Sequence, residues 1–320
     1  MVESQDGNPI SRYPANPIVR ARDIPYPCNA VFNAGVTTRG AETLLLLRIE
    51  DRRGISHFTV ARSRDGVSDW RVGPAPNLVP DSSRRPEELW GIEDPRITRL
   101  EDLDGWAVVY TAYSRGGPLV ALATTRDFEV YDHHGVVMPP EDKDAALFPV
   151  RFDGRWAMLH RPVSTSADAG AHIWLSFSPD LKHWGDHRIV LPARRGAWWD
   201  ANKVGLGPPP LRTEEGWLIL YHGVKTTASG AIYRLGLALL GLEDPSRLIA
   251  RSDEWVMTPE EPYERSGDVD KVIFPCGWIA DGDELRIYYG AADTSIALAT
   301  ASITGLLGWL DAHGSRHTST

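Results

Sequence analysis

The stretch from residue 91 to 98, GIEDPRIT, sets two carboxylates side by side, follows them with a proline and then places an arginine. It has two readings. Asp94 and Arg96 are two apart and share a face if the strand is regular, so they can form an ion pair that lowers the acid's pKa. The same carboxyl, in a pocket, could instead donate a proton to a reacting group. Pro95 lacks an N–H and biases Asp94 toward extended geometry, so Glu93 and Asp94 are expected on opposite sides, with one carboxylate entering whatever the strand lines. Other polar residues interrupt apolar stretches: Asn33, Lys143 and Lys203 in or beside some, and Arg48, His160 with Arg161, His222 and Asp293 at the ends of others. Aligning LLRIED, MLHRPV, LYHGVK and YYGAAD brings Arg48, His160, His222 and Gly290 to about one height. One such residue at a strand end is ordinarily a solvated rim group. Recurrence at one height asks for a fold that turns these residues toward a common axis, where cations and a few carboxylates would form a ligand-binding cleft.

The elements that would do this repeat. TLLLLRIE from 43, GWAVVYTAY from 105, RWAMLHRP from 155, GWLILYHGV from 216 and ELRIYYGAAD from 284 are followed by HFTVARS, PLVALATT, HIWLSFS, YRLGLALL and SIALATAS. The spacing is about 60 residues, the scale of a propeller blade or solenoid unit. Ahead of each pair lies a further strand-like piece: CNAVFNAGV, GIEDPRITRL, AALFPVRF, NKVGLGPPPL and VIFPCGWIA. Several second partners run into a turn cue, as in ARSRDGVSDW, ATTRDFEVY and SFSPDLKHW, where Asp can form an Asx-turn before an outer strand. The expected fold is all-β, a single five-bladed β-propeller over residues 1–320, with about 1–14 as an N-terminal extension and 314–320 as a frayed tail. A β-sandwich is the structural alternative.

Composition narrows the classes. The net charge is −9 with scattered positive residues, which excludes the footprint of a nucleic-acid binder. No apolar run approaches the roughly 18 residues of a membrane span, so no membrane partner is expected. The opening MVESQDGNPISRYP has no basic segment leading into an apolar one, and Cys28 and Cys276 lack metal-ligand spacing. The expectation is a cytoplasmic protein with free thiols and no metal.

These segments together resemble glycoside hydrolase family 130, the β-mannoside phosphorylases and their hydrolytic relatives. The resemblance rests on FNAGV, LLRIEDRRGISHF, GIEDPRIT, KDAALFP, LHRP, WLSFSPDLKHW, NKVGLGPPP, GWLILYHGV, FPCG and YYGAADT, in the family's order from about residue 15 to 305. It implies a five-bladed propeller that phosphorolyses terminal β-mannosides (β-1,4 or β-1,2) with inversion, giving α-D-mannose 1-phosphate. It further implies Asp94 as the general acid, protonated at the start and acting through the sugar's 3-hydroxyl, and Asn33, Arg48 and Asp293, with Glu93 beside them, as the mannosyl site. Lys143, placed by spacing, Arg161, Lys203 and His222 would be the phosphate site.

An inverting hydrolase needs a second carboxylate to activate water, whereas phosphate needs cations to hold it. Arg161, Lys203 and His222 suit that role, and none of the three positions carries a carboxylate base. The partners implied are an oligosaccharide and phosphate, with no organic cofactor; a homo-oligomer is allowed but not indicated. A water-using β-mannosidase and a noncatalytic glycan- or protein-binding propeller are the alternatives. Trp90, Trp198 and Trp199 could offer flat faces to sugar rings, the WWD segment more than the first.

Overall fold

The computed structural model describes residues 8–163, 170–228 and 230–317. The expectations for the opening residues 1–7 and the final residues 318–320 lie outside the described residues. The chain forms five antiparallel sheets, the blades of a propeller. Their innermost strands are Ala30–Arg39, Ile92–Arg99, Asp142–Phe152, Lys203–Leu206 and Ile273–Asp281. Each pairs with a second strand: Glu42–Glu50, Trp106–Ser114, Arg155–Pro162, Trp217–Thr227 and Glu284–Ala291.

The second strands read as continuous apolar runs because both of their faces are buried. Leu44 and Leu46 pack with Ile92, Ile97 and Val108 of blade two, while Leu45 and Leu47 pack with Tyr288, Ile296 and Leu298 of blade five. The other blade interfaces are built the same way, so the hydrophobic core lies between blades and leaves the axis to polar groups. The anticipated Asx-turns form in blades one to three. Asp65, Asp127 and Asp180 each accept backbone N–H bonds from residues two and three further on, at 2.8–2.9 Å.

Both chain ends depart from expectation. Within the supposed N-terminal extension, Ile10–Arg12 is the outermost strand of blade five, pairing with Ser295–Ser302 and closing the ring. Within the supposed tail, Gly314–Arg316 pairs with Leu248–Ser252 of blade four. It follows an unanticipated helix, Ile303–His313, whose N-cap Ser302 accepts the Gly305 N–H. Among the described residues no helix is long and apolar enough to cross a membrane.

Arg12 locks the closure. Its guanidinium grips both oxygens of the fully buried Glu264, at 2.8 and 3.0 Å, and also reaches Glu260 and the Thr258 carbonyl. Arg12→Ala is expected to cost about 3–5 kcal/mol of stability, the range for stripping the partner from a buried ion. Equilibrium urea unfolding checks this; a loss below about 1 kcal/mol, the scale of a surface pair, would mean that closure does not depend on the clasp.

Candidate active site

Three inner strands carry the same irregularity. Pairing with the second strand jumps between Phe32 and Gly35 in blade one, Glu93 and Arg96 in blade two, and Lys143 and Ala146 in blade three. Inside each bulge one residue has left-handed backbone: Asn33 (φ 49°), Asp94 (φ 52°) and Asp144 (φ 55°). Asn and Asp tolerate this region best among residues with a Cβ, and a bulge re-aims the side chain it contains. All three side chains are buried at the axis.

The bulge corrects the expectation of a regular strand at GIEDPRIT. Glu93 and Asp94 do not diverge: both meet the Arg48 guanidinium, with Nη2–Oε1 at 3.0 Å and Nη1–Oδ1 at 2.7 Å. Nor does Arg96 pair with the Asp94 carboxylate. Its guanidinium donates to the carbonyls of Gly207 (2.6 Å), Leu206 (2.8 Å) and Asp94 (3.2 Å), tying blade two to blade four.

Two charge clusters result. In the first, Asp94 Oδ1 accepts from Asn33 Nδ2 at 2.9 Å and from Arg48, while Oδ2 lies 3.5 Å from Lys143 Nζ. In the second, Asp144 Oδ2 accepts from Arg161 Nε at 2.8 Å and lies 3.5 Å from His222 Nε2, and Oδ1 is 3.6 Å from Arg96. Gly205 permits this second cluster, since a Cβ there would strike both the Asp144 carboxylate and the His222 ring.

Burial would raise the Asp94 pKa, but Arg48, Lys143, Arg96 and the Asn33 hydrogen bond outweigh it and bring the group down to about 2. The protein's own charges therefore favour the Asp94 carboxylate, whereas the expectation of an acid protonated at the start concerns the complex with sugar and phosphate. Asp144 is likewise held well below the usual range, burial being outweighed by Arg161, His222, Lys143 and Arg96. Burial lowers His222 to about 3 against the pull of Asp144, so it is a neutral imidazole, not the cation expected from sequence. Asp293 goes the other way, raised by burial to about 6 although Arg48 opposes the shift. Its Oδ1 is buried without a hydrogen-bond partner among the described residues.

The structure thus gathers Asn33, Arg48, Glu93, Asp94, Lys143, Arg161 and His222, with Asp293 in the field of Arg48 and Asp94. Lys203 is exposed, on the same strand face as Gly205 and one step from the His222–Asp144 contact. His160 turns away from the axis, and Trp199 is a core residue stacked on Tyr221, whereas Trp90 and Trp198 stay well exposed. Asp144 and Tyr233, the latter 5.8 Å from the His222 ring, were not foreseen. Asp144 could have been found by aligning FNAG, EDPR and KDAA, which place it with Asn33 and Asp94. Among the described residues no group of three or more His, Cys, Asp or Glu could hold a metal ion.

Chemically, the axis gathers the carboxyls of Glu93, Asp94, Asp144 and Asp293 with the cations Arg48, Lys143 and Arg161, groups able to pass a proton and to bind an anion. A base that activates water works best with a pKa near the working pH. Asp144, paired with Arg161 and strongly acidic, is a poor one.

Comparison with known proteins places this geometry. Residues 9–312 match the glycoside hydrolase family 130 model, described as beta-1,4-mannooligosaccharide phosphorylase. The chain is 33% identical to the beta-1,2-mannobiose phosphorylase of Listeria innocua, over 94% of this chain and 98% of that protein. It is 32% identical to the beta-1,4-mannooligosaccharide phosphorylase of Ruminococcus albus, over 96% and 92%. A solved structure of the Listeria innocua enzyme with β-1,2-mannobiose superposes with a TM-score of 0.86 at 32% identity, covering 95% of this chain and 99% of that one.

Proposed function

The chain belongs to glycoside hydrolase family 130, and from that membership and the charges at the axis we propose that it phosphorolyses terminal β-mannosides with inversion. A phosphate oxygen attacks the anomeric carbon opposite the leaving group, the glycosidic C–O bond breaks, and the departing oxygen takes a proton that originates on Asp94. The products are α-D-mannose 1-phosphate and an acceptor shortened by one sugar. The reaction is a glycosyl transfer to phosphate and runs in both directions.

In this scheme Asn33, Arg48, Glu93 and Asp293 hold the mannosyl unit. Lys143 and Arg161 supply charge to phosphate, His222 supplies a neutral N–H, and Lys203 adds charge from the open side. The observation that carries the reading is the state of the second buried carboxylate: Asp144 is bound by Arg161 at 2.8 Å, which leaves the axis with cations where a hydrolase would need a free base. Asp293, whose pKa is raised, shares the field of Arg48 with Asp94 and so belongs to the sugar side with the acid.

The proton must reach Asp94, whose ionised form the surrounding protein charges favour. A phosphate anion on Lys143 and Arg161 offsets the positive field that keeps Asp94 acidic, so phosphate binding itself raises that pKa and takes up the proton.

The test is incubation with β-1,2- and β-1,4-mannobiose and mannosyl-β-1,4-glucose, with and without inorganic phosphate. Mannose 1-phosphate is expected only when phosphate is present. Free mannose released equally fast without phosphate would replace this reading with a hydrolase.

A further inference from the structure

His160 was aligned with Arg48 and His222 by sequence, yet it points into blade three. There it is part of a chain of short contacts. Asp142 Oδ2 lies 2.6 Å from His160 Nδ1, His160 Nε2 lies 2.7 Å from Ser176 Oγ, and Ser176 Oγ lies 2.6 Å from His187 Nδ1. Asp142, His160 and Ser176 are buried, at 2%, 3% and 0% exposure, while His187 is exposed. The order Asp–His–Ser is that of a nucleophilic triad, but a fully buried Ser176 hydroxyl cannot meet a substrate.

The placement of the chain suggests another role. Asp142 immediately precedes Lys143, and His160 immediately precedes Arg161; Lys143 and Arg161 face each other across the first two strands of blade three. Asp142 also closes the link through the backbone, its Oδ1 accepting the Arg161 N–H at 3.0 Å. One carboxylate thus holds the backbone N–H of Arg161 from the position next to Lys143, and His160 holds that carboxylate. With Asp142 as acceptor, His160 donates from Nδ1 and accepts a hydrogen bond from the Ser176 hydroxyl at Nε2, and Ser176 in turn accepts from His187.

We propose that Asp142 and His160 are positioning residues of the phosphate site, with Ser176 and His187 as the outer struts that hold the imidazole in register; this rests on the phosphorolytic reading above. Small displacements of groups that orient a reactant have large kinetic effects, and a buried hydrogen-bonded anchor is how such groups are held.

The test is steady-state kinetics with both substrates varied. His160→Gln removes the donor to Asp142 and should raise the KM for phosphate about tenfold or more while leaving the KM for the mannoside within about twofold. His160→Asn, whose amide can occupy the Nδ1 position and donate to Asp142, should recover most of the loss. Ser176→Ala, which cuts only the outer strut, should raise the phosphate KM a few-fold; it decides the matter if His160→Gln does not fold. Phosphate KM unchanged in a variant that only melts earlier would overturn the positioning role alone. A wild-type enzyme indifferent to phosphate would overturn the functional reading and this proposal with it.

Discussion

Asp94→Asn is expected to lower kcat by about 10²–10⁴-fold, the usual contribution of a positioned general acid. The amide is nearly isosteric and can still accept from Asn33 and Arg48, while Arg48 keeps Glu93 at 3.0 Å, so the variant should fold. Turnover within a few-fold of wild type would remove the acid assignment. A second readout tests how the acid is loaded. The surrounding cations bring the carboxylate down to about 2, so in this scheme protonation accompanies the arrival of the phosphate anion. Calorimetric titration of phosphate in buffers of different ionisation enthalpy should show proton uptake by wild type that Asp94→Asn lacks. Phosphate's own titration is common to both proteins, so the difference belongs to Asp94. The sign follows: phosphate affinity should fall as pH rises through the lifted pKa of Asp94, and this slope should flatten in the variant.

The fold was legible in the sequence where burial is two-sided. TLLLL and WLILY carry no alternation because each second strand packs against two neighbouring blades, and it was these runs that exposed the repeat. The Asp turn cues were legible because an Asx-turn is local chemistry. The site residues were legible as types, yet the bulges that aim them were not. A one-residue insertion in a ladder depends on how two strands match, which no spacing within one strand reveals. That hid Asp144, reversed the expected divergence of Glu93 and Asp94, and released Arg96 to the carbonyls of blade four. The charge of His222 was equally hidden, since it follows from complete burial beside Arg161, Arg96 and Lys143. The helix at Ile303–His313 had readable signals, with Ser302 as cap and apolar residues at 303, 306, 307 and 310, but it follows without a break on the last strand of the repeat.

Arg161→Ala should raise the KM for phosphate by about 10²-fold or more, because truncating one member of a buried, hydrogen-bonded charge pair costs about 2–5 kcal/mol. The same change should lower stability by about 3–5 kcal/mol, since Asp144 would lose its one hydrogen-bonded cation and keep Arg96 and neutral His222 at 3.5–3.6 Å and the more distant field of Lys143. Asp144 has a depressed pKa in the folded state, so the stability it contributes is present above the carboxylate range and is lost as pH falls through its folded pKa. The gap between wild type and Arg161→Ala should therefore be full at pH 7 and narrow on acidification, which urea unfolding at several pH values would show. Arg161→Lys separates the two effects. A lysine can restore charge beside Asp144 and recover much of the stability, but a single nitrogen cannot hold that carboxylate through one donor and present others to phosphate, as a guanidinium can. Its phosphate KM should stay nearer that of Arg161→Ala than that of wild type. Recovery of both properties by lysine would mean that Arg161 acts as a point charge only, and that the orientation imposed by Asp144 plays no part in binding the nucleophile.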